Sequence, residues 1–185
     1  MLQIARLLLA STVGSNFYDH MTQDLWNILS KTTDWVKYSD TKAAVLLTVH
    51  GVLLTIVYTN AISVYNYSFE NWFTILLTLL IAASSLISIV YCFLTINPKL
   101  KNENPTSLIY FGHIQKNFAN YQDYYIAVKS KFSKKKKINK QLTEQIFVNS
   151  HVAWKKFSFI TISMRYFFVS IILLLINLLY YLFSR

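Results

Sequence analysis

The stretch WFTILLTLLIAASSLISIVYCFLTI, Trp72 to Ile96, carries no charged residue. About 20 consecutive apolar residues in helical form cross a hydrocarbon core of roughly 30 Å. Two further runs meet the same condition: Ala43 to Val64 (AAVLLTVHGVLLTIVYTNAISV) and Phe159 to Phe183, rich in Ile, Leu and Phe. The chain has 185 residues, of which 14% are charged. A soluble domain of that size needs more charge to solvate its surface. The fold class is therefore an all-α membrane protein with three transmembrane helices.

Working outward from the spans, the chain divides into a lead-in over 1–15, a cytoplasmic helix over 16–42 and a first span over 43–64. An external loop over 65–71 and a second span over 72–96 follow. A cytoplasmic helical hairpin over 97–158 then leads into the third span, 159–183. The lead-in MLQIARLLLASTVGS resembles a secretory signal only weakly, since Arg6 falls inside its apolar stretch rather than before it. It is expected to be retained.

Charge sets the orientation. Tyr65 to Asn71 contains Glu70 and no lysine or arginine, whereas Asn97 to Ser158 holds Lys99, Lys101, Lys116, Lys129, Lys131, Lys134 to Lys137, Lys140, Lys155 and Lys156. Lys31, Lys37 and Lys42 precede the first span. Basic segments stay on the cytoplasmic side, so the N-terminus is expected inside and the C-terminus outside. The net charge of +10 fits anionic lipid better than nucleic acid. No aromatic residues interleave Lys134 to Lys137 for stacking on bases, and that run is expected at the solvated tip of a turn.

Outside the spans, apolar residues recur at Phe111, Ile114, Phe118, Tyr121, Tyr125, Val128 and Phe132, and again at Tyr18, Met21, Leu25, Ile28, Thr32 and Trp35. Alternating steps of three and four place each set on one helical face. Phe111 to Phe132 and Gln141 to Ser158 are expected to form the arms of the hairpin. The N-terminal helix packs on it to complete a small bundle, with the aromatic stripe as its core. Pro98 and Pro105 mark the break after the second span.

Catalytic patterns are missing. There is no nucleophile elbow, Walker A loop, HExxH or dinucleotide fingerprint, and three glycines do not make a phosphate cradle. The single cysteine, Cys92, excludes an intrachain disulfide and a cysteine zinc site. His20, His50, His113 and His151 share no ligand spacing, so no metal is expected. The chain is read as a non-enzyme.

The informative residues are polar ones in or beside the spans. His50 and Asn177 sit within spans, where an unpaired polar group is costly and is either functional or bonded between helices. Ser84 and Ser88 form a small-xxx-small step that permits close helix approach, within a chain or between copies. Three helices enclose little space, so a conducting path requires oligomerisation. At the membrane boundary Asp40 and Lys42 face the return helix with Gln145, Asn149, Ser150, His151, Lys155 and Lys156. Such a cluster either holds a small anionic ligand by charge-assisted hydrogen bonds or forms a structural network with lipid headgroups.

The same residues carry a resemblance. The pattern W-x-x-x-S-D-T-K-A from Trp35 to Ala43, INPKL from Ile96, SLIYFGHI from Ser107, and Q-I-x-x-N-S-x-x-A-x-K-K from Gln145 to Lys156 resemble the transmembrane Pycsar effectors of bacterial antiphage defence. The resemblance runs from about Trp26 to the C-terminus. It implies a multi-pass inner-membrane protein, activated by a cyclic nucleotide such as cUMP or cCMP from a partner cyclase. Activation then impairs the membrane in abortive infection, with assembly of a homo-oligomer. The matching positions for ligand binding are Asp40, Lys42, His113, Gln145, Asn149, Ser150 and Lys156. No separate cyclic-nucleotide domain is present, so a site must be made by the bundle or between protomers. A membrane-anchored helical scaffold and a constitutive channel subunit are the alternative functions.

Overall fold

The computed structural model describes residues 2–97, 107–133 and 135–184, with side chains from Tyr18 to Phe183 within those ranges. Pro98, Lys99, Lys101, Pro105 and Lys134 lie outside the described residues, as do the side chains of the lead-in. The described residues are all helix, turn and connection: α1 (Leu2–Thr59), α2 (Ala61–Ser68), α3 (Trp72–Ile96), α4 (Phe111–Asn117), α5 (Tyr121–Phe132) and α6 (Lys135–Ser184). Three of them, α1, α3 and α6, are long and apolar enough to cross a membrane. The chain forms two compact units. One comprises Met1–Trp35 with Leu100–Ala153; the other comprises Val36–Lys99 with Trp154–Arg185.

In the membrane unit, α1 breaks at Asn60, whose backbone leaves helical geometry while its side-chain amide donates to the Ile56 carbonyl at 2.9 Å. The connection expected as a loop over 65–71 begins as the helix α2. Asn71, in extended conformation, restarts the chain as α3, and its backbone N–H donates to Thr74 Oγ1 at 3.2 Å. Ala43 of α1, Cys92 of α3 and Ile160 of α6 are buried together, with Leu46, Leu47, Phe157 and Met164 around them. These three positions are small or slender, which lets the helices approach closely where no hydrophobic effect drives them together.

Serines join α3 to α6 in that unit. Ser88 donates to the Ser163 carbonyl at 3.0 Å and Ser163 donates back to the Ser88 carbonyl at 2.8 Å. Ser85 and Ser170 meet at 2.8 Å, and Ser163 lies 3.0 Å from Cys92 Sγ. The small-residue face of α3 is thus used within one chain. At the other end, Tyr67 donates to Asn177 Oδ1 at 2.9 Å and to its backbone carbonyl at 3.1 Å, so Asn177 is bonded between helices.

The first unit departs from its expected form in two respects. The arm expected over Phe111 to Phe132 is two helices, because Asn120 accepts from the Asp123 N–H at 2.9 Å and caps α5. The aromatic stripe is also not its core. Phe111, Tyr121 and Tyr125 are exposed, as are Met21 and Ile28 on α1, and α1 buries Leu29 instead. Among the described residues of this unit the inward ones include Ser107, His113, Asn139, Gln141 and Gln145, with only Leu29, Leu108, Leu142 and Ala153 as buried apolar side chains. A 3.6-residue helix drifts from a strict three-four stripe, and here the face turned inward is the one that meets amides. Lys135, Lys136 and Lys137 are exposed in the first turn of α6, and Lys135 pairs with Asp19.

Candidate functional site

The residues singled out in the sequence divide between the units. His113, Gln145, Asn149 and Ser150 belong to the polar-cored unit, and Asp40, Lys42 and Lys156 to the membrane unit. Each group has its own chemistry.

In the polar-cored unit, a chain of amides crosses from α6 to α1. Gln145 Nε2 donates to Asn149 Oδ1 at 3.1 Å, and Asn149 Nδ2 donates to Thr33 Oγ1 at 3.3 Å. One turn earlier, Gln141 Oε1 accepts the Leu108 N–H at 2.9 Å and Tyr124 donates its hydroxyl to the Leu108 carbonyl at 2.9 Å. The SLIYFGHI stretch is held in this way at both backbone groups of Leu108. Ser107 accepts the N–H groups of Ile109 and Tyr110, and His113 Nδ1 accepts the Ser107 N–H at 3.2 Å. His113 also stands edge-on to the Tyr110 ring at 4.9 Å. Ser150 is exposed.

Sequence reading missed Asn139. Its side chain is 4% exposed, its Oδ1 lies 2.6 Å from the Thr22 hydroxyl, and its Nδ2 has no partner among the described residues. Thr22 has a single hydroxyl proton and also lies 2.7 Å from the Tyr18 carbonyl. Either orientation of the Asn139 amide therefore leaves one of its polar atoms unsatisfied, which costs about 1–3 kcal/mol in a dry interior. The signal in the sequence was weak: Asn139 lies in a lysine-rich stretch that reads as solvated.

In the membrane unit, Lys156 is 5% exposed and pairs with the half-buried Asp40 of α1. Its ammonium also lies 3.5 Å from the carbonyl of Ile96, the last residue of α3. A buried cation is tolerable only with such partners, and the C-terminal carbonyls of a helix carry partial negative charge. One lysine therefore ties α1, α3 and α6 together. Lys42 is half-buried, lies 4.4 Å from the Tyr38 ring centre and 5.7 Å from that of Phe157, and pairs with no carboxylate among the described residues. Deeper in the unit, His50 is buried, donates from Nδ1 to the Leu46 carbonyl at 2.8 Å and packs on Phe167 at 5.1 Å. Its Nε2 has no partner among the described residues. Among the described residues no cluster of histidine, cysteine and carboxylates fit for a metal occurs.

Several of the motif residues, among them Asp40, Ile96, Ser107, Leu108, His113, Gln145, Asn149 and Lys156, take part in these two networks. A family model described as the Pycsar effector protein domain matches residues 24–183. The chain belongs to the Pycsar effector family. No curated protein and no solved structure matches it. As a Pycsar effector it is a multi-pass membrane protein of antiphage defence, of a family activated by cyclic nucleotides made by a cognate cyclase. Effectors of this kind act on the membrane rather than by catalysis. The match begins at Asp24, within α1, and ends at Phe183, one residue before the end of α6, so it takes in both units.

Proposed function

We propose that this Pycsar effector binds a cyclic pyrimidine mononucleotide, cUMP or cCMP, in its polar-cored unit and then assembles into homo-oligomers that breach the bacterial inner membrane. The N-terminus and residues 97–158 lie in the cytoplasm, where a cyclase would supply the ligand, and the C-terminus lies outside. The breach stops the infected cell before the phage matures.

The observation that carries this reading is the polar interior of the first unit. A bundle built only to anchor helices gains most from an apolar core, yet this one buries His113, Asn139, Gln141 and Gln145. Amides and a neutral imidazole are the groups that hydrogen-bond the edge of a base, and they can exchange partners with little change in charge. His113, Gln145, Asn149 and Ser150 are assigned to the ligand. Asp40 and Lys156, first grouped with them, are assigned to cohesion of the membrane unit, and Lys42 to headgroup contact. Gating requires that the ligand bind the assembled form better than the resting one.

The test is membrane potential in cells expressing the protein, followed before and after supplying cUMP, cCMP, cAMP or cGMP. Depolarisation with a cyclic pyrimidine nucleotide alone is the expected result. Depolarisation on expression without any cyclase would argue for a constitutive channel, and unchanged potential with all four nucleotides would sink the gated reading.

A further inference from the structure

Arg165 is the only charged residue in the three apolar runs 43–64, 72–96 and 159–183. It lies on the outward face of α6, exposed, and has no hydrogen bond or ion pair among the described residues. Thr161, Ser158 and Lys155 lie above it along the same side and are exposed too. Ser158 donates to the Trp154 carbonyl at 2.9 Å and Thr161 to the Phe157 carbonyl at 2.7 Å, which leaves both oxygens free to accept from outside. Below Arg165 the exposed positions turn apolar, at Phe168, Val169 and Ile172. A polar stripe therefore descends one side of α6 and stops at a guanidinium.

Depth decides what that guanidinium can meet. Exposed Trp154 and Lys155 are the interfacial pair that marks where α6 enters the bilayer. The apolar run begins four residues later at Phe159, and Arg165 lies six residues inside it, roughly 9 Å along the axis at the helical rise, within the cytoplasmic third of a hydrocarbon core. Reaching back to the headgroups from there takes an arginine side chain at its full extension. Neither does a carboxylate await it, because the three runs contain no Asp or Glu. Identical copies that packed this face together would oppose arginine to arginine, which repels unless water and anions lie between. The face is thus strained against lipid and unsuited to a dry interface.

We infer that in the activated assembly this stripe of α6 lines a water-filled path between copies, with Arg165 as the residue that selects anions. The inference rests on the proposed breach of the membrane by assembled effectors, and adds which face lines the path and which ions it favours.

The test uses the full-length protein in planar bilayers under a potassium chloride gradient, with cUMP and cCMP added in turn. The expected current has its zero-current potential displaced toward the chloride equilibrium potential. Arg165→Lys keeps that sign, Arg165→Gln moves the potential toward zero, and Arg165→Glu moves it to the potassium side. A triggered current whose selectivity is the same in wild type, Arg165→Gln and Arg165→Glu overturns the assignment and leaves the effector reading intact. So does a current whose selectivity is unmoved but whose size follows the phosphatidylglycerol content of the bilayer, since that places the guanidinium on lipid phosphate. A wild-type protein silent to both nucleotides fails earlier, at the effector reading, and takes the inference with it.

Discussion

Lys156 of α6 donates to Asp40 of α1 from a position only 5% exposed, while Asp40 is half-buried. The asymmetry matters, since the lysine loses its hydration and the carboxylate keeps part of its own. Removing one member of a buried pair costs about 3–5 kcal/mol, chiefly because the other is stranded. Asp40→Asn is therefore expected to destabilise the membrane unit by about 3 kcal/mol, at the lower end because Asp40 retains solvent. Lys156→Met should cost less, and the double variant should recover most of the loss. Unfolding of purified protein in detergent by heat or denaturant, as a double-mutant cycle, checks this. Strict additivity would show that the pair contributes no coupling.

The reciprocal Ser88 and Ser163 bonds between α3 and α6 give a second expectation. Interhelical hydrogen bonds in membranes average about 0.6 kcal/mol and reach about 1.7. Ser163→Ala removes one hydroxyl without adding bulk and should cost about 1 kcal/mol. Ser163→Leu must force the helices apart at a fully buried position and should cost several-fold more. Equal effects of alanine and leucine would mean that this face is not packed inside the chain.

Two orphaned polar atoms give predictions of the opposite sign. Asn139 and His50 each bury a nitrogen with no partner among the described residues. Asn139→Leu and His50→Leu should each raise thermal stability by about 1 kcal/mol, through removal of an unsatisfied polar group. A fall in stability for Asn139→Leu would mean that water or ligand supplies the missing bond in solution.

For activity, Asn149 is the informative substitution. It links Gln145 to Thr33 across two helices, so Asn149→Ala removes two bonds and should cost about 1–2 kcal/mol of stability. On the proposed reading it also abolishes nucleotide-triggered depolarisation while the protein still accumulates in the membrane. Lys42→Gln, which lies on aromatic faces in the other unit, should leave the nucleotide response intact. A full response from Asn149→Ala would remove that residue from the ligand site.

The break between α4 and α5 was readable in advance. Asn120 three residues before Asp123 is a helix-start signal, although the apolar stripe runs on through it without a break. The register of α1 was less accessible. Tyr18, Met21, Ile28 and Trp35 make a regular stripe in the sequence, yet Leu29, Ser39, Ala43 and His50 are the buried positions among the described side chains of α1. Which side of a helix turns inward depends on what the neighbouring helix presents, and here α6 presents Asn139 and Asn149 to Thr22 and Thr33. The candidate site was legible as a set of residues, because unusual polar groups beside apolar runs stand out locally. Their division into an amide network and an ion-paired network was not.

By itself the sequence determined the class, the three spans and the kinship, because crossing a bilayer demands long apolar helices and that demand is met, Arg165 apart, residue by residue along the chain. The tertiary structure decided which polar groups pair and which are left over. Ser88 found Ser163, Lys156 found Asp40, and Asn139 and His50 were each left with a buried nitrogen. Pairing of this kind depends on separations of 70 residues and more along the chain, and no local pattern encodes which helix faces which.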